Sequence, residues 1–188
     1  VHYSGNLGLA HDVETIRGAM LALGRDGRFE FVFAGGGPRR EELERCCREH
    51  ETGNARFEGY CGRGELGSRL AEGHIGLVTQ KAETLGAVVP SKTYGIMAAG
   101  RPVLYIGPRE ATPARIIREF GCGWQVECGD VRGLVDLLHS LARGRDAVYE
   151  AGSRARRAFL EHYDRELGVA RVAEILGAKV RGRALSAT

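Results

Sequence analysis

The residues best placed to do chemistry lie in VVPSKTYGIMAAGRPVLYIG, positions 88 to 107. Pro90 suits a first helical turn, because its missing amide hydrogen has no helical partner there, and Ser91 can cap the exposed amides. Lys92 then adds an ammonium where the backbone already carries partial positive charge. A diphosphate fits such a helix start, held by backbone donors and a cation together. The same lysine also reads as a solvated side chain, since lysines are mostly exposed.

Three glycine-containing turns are further candidates: SGNLG at 4 to 8, AGGGP at 34 to 38 and EGYCGRGE at 58 to 65. Glycine lets the backbone approach a ligand closely, and the helix after each turn offers free amides to an anion. Each also reads as an ordinary strand-to-helix turn. AGGGP is not the G-x-G-x-x-G dinucleotide fingerprint, and no G-x-x-x-x-G-K-[ST] phosphate loop occurs.

These turns need strands and helices to position them. Apolar runs at 1–4, 29–35, 55–60, 74–79, 102–107 and 123–127 read as six short strands, and apolar residues at helical spacing fill the intervals. Strands alternating with helices predict an α/β fold, a Rossmann-like doubly wound parallel sheet of about six strands flanked by helices. Its ligand belongs at the carboxyl ends of the strands. After Glu127 the pattern becomes helical. Asp130 is the expected N-cap of a helix that buries Leu134, Leu137, Leu138 and Leu141, and 146 to 176 reads as one or two more helices.

With 188 residues the chain is one domain of ordinary size. Lys plus Arg number 27 against 24 Asp plus Glu, scattered along the chain, which gives no reason to expect a nucleic-acid partner. The five cysteines, Cys46, Cys47, Cys61, Cys122 and Cys128, form no C-x-x-C pair and have no histidines at zinc spacing; they read as reduced thiols of a cytoplasmic protein. Trp124 reads as core packing, and His50, His139 and His162 as surface or boundary residues. No apolar run approaches the roughly 20 residues that span a bilayer, and no signal peptide is recognised. The start at Val1, already strand-like, reads as a fragment whose missing part lies N-terminal.

The order and spacing of YSGNLGLAHDVETI, FVFAGGGPRREELE, ARFEGY with GELGSRLAEGHIGLV, VPSKTYGIMAAGRPVL and GCGWQVECGD resemble the C-terminal, donor-binding domain of GT-B glycosyltransferases, family four (group 1). Within that family the bacterial colanic acid and O-antigen transferases are the most similar in pattern. The resemblance covers roughly residues 2 to 176, and PSKTYGIMAAGRPV is its most specific part. It implies a donor domain at 1–178, a flexible tail at 179–188 and an acceptor domain absent from this chain. The implied substrate is a nucleotide diphosphate sugar, usually a UDP-sugar. The acceptor is a glycan or a lipid-linked glycan in cell-surface polysaccharide synthesis, with peripheral membrane association of the full-length protein. Retention at the anomeric carbon is implied, as is an isolated fragment that transfers no sugar.

Carried over position by position, the resemblance sets Gly5 and Asn6 in the loop facing the donor phosphates. Gly35, Gly36 and Gly37 fall beside the nucleoside, and Tyr60 at the backbone contacts to the base. Ser91, Lys92 and Thr93 fall at the helix that receives the diphosphate. Glu83 and Lys92 are the implied catalytic residues, and no metal or other cofactor is implied. Two departures stand out. Gly95 occupies the place of the second glutamate of the family's E-x7-E pattern, and Glu83 precedes it by twelve residues rather than eight. Asn6 and His11 stand where the family usually has Arg and Lys. A non-hydrolysing UDP-sugar epimerase-like domain and a catalytically degenerate binding or assembly module are the alternative readings.

Overall fold

The computed structural model describes residues 1–62, 64–175 and 177. All six expected strands form, trimmed to their apolar centres: β1 (His2–Ser4), β2 (Phe31–Ala34), β3 (Ala55–Glu58), β4 (Gly76–Thr79), β5 (Val103–Ile106) and β6 (Gly123–Val126). Every neighbouring pair is parallel, and the order across the sheet is β3-β2-β1-β4-β5-β6. β1 is central. From it the chain winds outward first through β2 and β3, then returns to β4 on its other side and winds outward again. Loops leaving β1 and β4 therefore diverge, which opens a crevice at the carboxyl ends of these two strands.

The helices are α1 (Glu14–Ala22), α2 (Pro38–Glu49), α3 (Leu66–Glu72), α4 (Lys92–Ala98), α5 (Thr112–Phe120), α6 (Val131–Arg143), α7 (Arg145–Ala158) and α8 (Arg165–Ile175). Side chains that alternate along each strand feed two cores. Leu104 and Ile106 of β5 join Tyr3, Phe31, Phe33, Ile16 and Leu134 on one face. Val103 and Tyr105 of the same strand join Ile96, Met97, Ile117 and Ala155 on the other. Burial on both faces explains why the strands read as continuous apolar runs.

Asp130 caps α6 as expected, its carboxylate accepting from the Gly133 amide at 2.8 Å. Leu134, Leu138 and Leu141 are buried beneath that helix, and Leu137 is partly buried. Of the expected helical span, 146 to 176, the described residues hold two helices, α7 and α8, with a π-helical turn, Phe159–Tyr163, between them. All five cysteines are free, and Trp124 packs partly buried against the first core. The expected tail, 179–188, lies outside the described residues. No described helix is long and apolar enough to cross a membrane.

The start of α4 differs from expectation. The helix begins at Lys92, with Pro90 two residues outside it. Ser91 holds the N-cap position, yet its side chain makes no capping bond. Its backbone is already helical, φ −64° and ψ −19°, whereas a capping side chain is presented by an extended backbone. The neighbouring hydroxyl of Thr93 instead donates to the Pro90 carbonyl at 2.9 Å.

Candidate functional site

The turns after β1 and β2 are joined by main-chain hydrogen bonds into a single floor. The Gly5 amide donates to the Ala34 carbonyl at 2.7 Å, that of Leu7 to Gly36 at 2.8 Å, and that of Arg39 to Leu7 at 3.1 Å. Such close approach needs glycine at two positions in particular. Gly35, at φ +127°, would drive a Cβ into the Gly5 carbonyl; Gly37, at φ +111°, would place one 2.5 Å from the Asn6 side-chain oxygen. Gly5, Asn6, Gly35, Gly36 and Gly37 thus meet in space.

Tyr60 stands over this floor. Its exposed ring (69%) faces Gly36, where a Cβ would lie 3.3 Å from the ring. Beneath lies Tyr3, buried in the core, whose hydroxyl donates to the Asn6 carbonyl at 2.6 Å and fixes the turn from below. This role of Tyr3 is not legible from sequence, because an aromatic residue in an apolar strand has the look of core alone.

Lys92 reaches the floor from the far side of β1. Its Nζ sits 5.2 Å from the centroid of the Tyr3 ring, close enough for a cation–π contact. Its stem runs against Gly5, where a Cβ would lie 2.7 Å from Cε. Burial lowers its pKa, and among the described residues no neighbouring carboxylate raises it again. A half-buried ammonium without a counterion is costly unless an anion joins it. His11 lies on the same tyrosine, edge-on with ring centroids 5.9 Å apart. Its Nδ1 is 3.1 Å from both the amide and the carbonyl of Gly8. Burial lowers the pKa of its imidazole, the Gly8 bond opposes that, and Lys92 lowers it further.

The remaining candidates sit around the rim or behind it. Glu83 is exposed on a 3-10 turn, Ala82–Thr84, in the loop after β4. That loop abuts the β1 loop, since the Lys81 amide donates to the Ala10 carbonyl at 2.9 Å and the Thr79 hydroxyl to the Asp12 carbonyl at 2.6 Å. Ser91 is exposed, whereas Thr93 is buried with its hydroxyl turned back on Pro90. Gly95 lies in α4, and a Cβ there would touch only Leu70 of α3, at 3.5 Å. A cavity of about 270 Å³ exists at the opposite end of the sheet, against Val1, Phe29, Leu138 and Tyr149. Neither the glycine turns nor Lys92 lines it. Among the described residues no group of three or more His, Cys, Asp or Glu could hold a metal ion.

A glycine-floored crevice at the switch point of a parallel sheet, with a cation above it that no described carboxylate pairs, defines a Rossmann-like domain. Its particular form is that of the C-terminal domains of GT-B glycosyltransferases, as the resemblance predicts. The C-terminal domain of the group 1 glycosyl transferase LpcC from Francisella tularensis superposes with a TM-score of 0.70 at 18% identity, over 87% of this chain and 85% of that one. Anabaena HepE, solved with UDP-glucose, gives 0.73 at 15% identity, over 94% of this chain and 48% of that one. In sequence, the chain is 30% identical over 139 residues to the probable glycosyltransferase WbjE of Pseudomonas aeruginosa, a match covering 74% of this chain. The match spans about a third of the WbjE length, 34%. No protein-family model matches the chain.

Proposed function

We propose that this chain is the donor-binding domain of a glycosyltransferase, which holds a nucleotide diphosphate sugar, a UDP-sugar, for transfer to a glycan or lipid-linked acceptor in cell-surface polysaccharide synthesis. The observation that carries the reading is Lys92, a half-buried ammonium with no carboxylate partner among the described residues, poised over Tyr3 and the Gly5 turn. The similarity to WbjE and the UDP-glucose complex of HepE, a protein of the same fold, support it.

The chemistry follows from the charge balance. Breaking the bond between the anomeric carbon and the diphosphate leaves negative charge on the departing oxygen. A preorganised cation beside that oxygen stabilises the transition state more than the ground state and lowers the barrier. Lys92 supplies that cation, and the glycine-turn amides not already bonded within the floor, those of Gly36 and Gly37, supply neutral donors. Glu83, on the adjoining exposed loop, is assigned to the transferred sugar. Acceptor recognition we assign to a separate domain, which in the full-length protein associates with the membrane surface, and we adopt retention at the anomeric carbon from the family resemblance.

Titration of UDP-glucose into the isotopically labelled chain tests the reading. Saturable shifts are expected at the amides of Gly5, Gly35, Gly36, Gly37 and Lys92, with no sugar transferred by residues 1–188 alone. Shifts confined to other parts of the chain, or no binding at millimolar ligand, would overturn it.

A further inference from the structure

Gln80 immediately follows β4 and, though polar, is only 1% exposed. Burying an amide is unfavourable unless its groups are paired, and every part of this one is used. Its Nε2 donates to the Thr84 and Val88 carbonyls, each at 3.1 Å. Its Oε1 accepts from the Tyr105 hydroxyl at 3.0 Å. The main chain is fixed as well: the Gln80 amide donates to the Ile106 carbonyl at 2.9 Å, and its carbonyl accepts from Cys128 Sγ at 3.3 Å.

The two acceptors that Gln80 joins are four residues apart in a segment with little else to hold it. Leu85, Val88 and Val89 are exposed at 44%, 39% and 61%, so apolar burial contributes little to the place of this loop. Inside it, the amides of Ala87 and Val88 both donate to the Thr84 carbonyl at 3.1 Å, the same oxygen that Gln80 holds from the sheet. Gly86, at φ +83°, makes the turn between them. Two residues beyond Val88 the chain passes Pro90 and enters α4 at Lys92.

We propose that Gln80 is a positioning residue, a clamp that fixes the 82–89 loop to the end of the sheet and thereby sets Lys92 over the Gly5 turn. Tyr105 acts as its latch. The hydroxyl engages the amide oxygen, which leaves the NH₂ as the only end able to face the loop, and burial raises the pKa of that hydroxyl so that it remains a donor. The consequence for nucleotide binding rests on the donor-domain reading above; the clamp itself does not.

Amide hydrogen exchange and UDP titration on the parent chain, Gln80→Leu and Gln80→Glu separate these roles. Leucine removes both donors. Glutamate keeps size and the acceptor for Tyr105 but retains at most one donor, and that only when protonated. Both variants should exchange the Ala87 and Val88 amides at least tenfold faster, with amides of β4 and β5 within twofold of the parent and UDP bound at least fivefold more weakly. Tyr105→Phe, with Gln80 intact, should show a smaller acceleration at the same two amides. Unchanged loop exchange, equal acceleration throughout β4 and β5, parental behaviour of Gln80→Glu, or a loosened loop with parental UDP affinity would each overturn the proposal. A parent that binds no UDP while the loop amides respond as described sinks the donor-domain reading and leaves the clamp standing.

Discussion

Lys92 and Gly5 share one small volume: a Cβ on Gly5 would lie 2.7 Å from Lys92 Cε. The lysine stem can cross the first turn only because the residue beneath it has no side chain. Lys92→Ala therefore removes the cation while leaving the backbone floor intact. Loss of one charge-assisted contact should weaken UDP-glucose binding by about 1.5–3 kcal/mol, read by calorimetry. Thermal stability should hold or rise slightly, since a half-buried charge with no carboxylate partner among the described residues has gone. Parental affinity with a fall in stability would make Lys92 a structural residue.

The floor itself should be intolerant of side chains. Gly35→Ala forces an L-residue into φ +127° and into the Gly5 carbonyl; the backbone conformation alone costs about 1–3 kcal/mol. A fall in Tm of roughly 4–10 °C is expected for a domain of this size. Gly27→Ala, where a Cβ would meet nothing within 4 Å, is the control and should leave Tm unchanged.

His11 predicts a pH dependence of opposite sign for binding and for stability. Its folded pKa lies below the ordinary 6.5, through burial first and Lys92 after it. In the free protein the stability it contributes is therefore full above about pH 6.5 and is lost as pH falls through the folded value. A bound diphosphate favours the imidazolium, so UDP-glucose, whose phosphates stay ionised throughout this range, should bind more tightly as pH falls below 7. His11→Gln should flatten both trends, leaving in the stability curve the part due to His2, which burial also depresses. A binding curve with the same slope in His11→Gln would remove His11 from the site.

Gly95 has room for a side chain, with Leu70 as the single neighbour of a Cβ, at 3.5 Å. Gly95→Glu should stabilise α4 by up to about 1 kcal/mol through helix propensity. If the ribose lies beside this turn of the helix, the carboxylate also strengthens binding of UDP by about 1–2 kcal/mol. The gain should vanish for the 2′,3′-dideoxy analogue. An equal gain for both ligands would place the ribose elsewhere.

Much of this architecture was legible from period and punctuation. Continuous apolar runs such as FVFA and VLYI, separated by helical spacing and closed by glycine, could hardly form anything but a parallel sheet covered on both faces. That the loops carrying Gly5, Gly35 and Lys92 gather at the carboxyl ends of the strands follows from the parallel sheet, while the choice of these residues comes from the family resemblance. What stayed hidden were the residues whose work depends on a partner distant in sequence. Gln80 reads as the polar edge of a strand until Tyr105, Thr84 and Val88 are seen around it. Ser91 carries the composition of a cap, and only its backbone angles show that it does not act as one.

The three-residue length of β1 has a bearing on how this molecule folds. β1 lies between β2 and β4, so its neighbours come from segments about 30 and 75 residues downstream, and each pairing closes a long loop before it is rewarded. The Tyr3 ring belongs to this strand, the glycine floor is made by the turns that follow it and β2, and the ammonium arrives from the β4 side. On the donor-domain reading, a fragment that ends before Lys92 should not bind the diphosphate, and a collapsed intermediate in which β1 is still unseated should lack the complete site. Ligand binding thus reports completion of the central strand, and at about 100 times Kd it should add roughly 2.7 kcal/mol to global stability, appearing as slower exchange across the whole sheet.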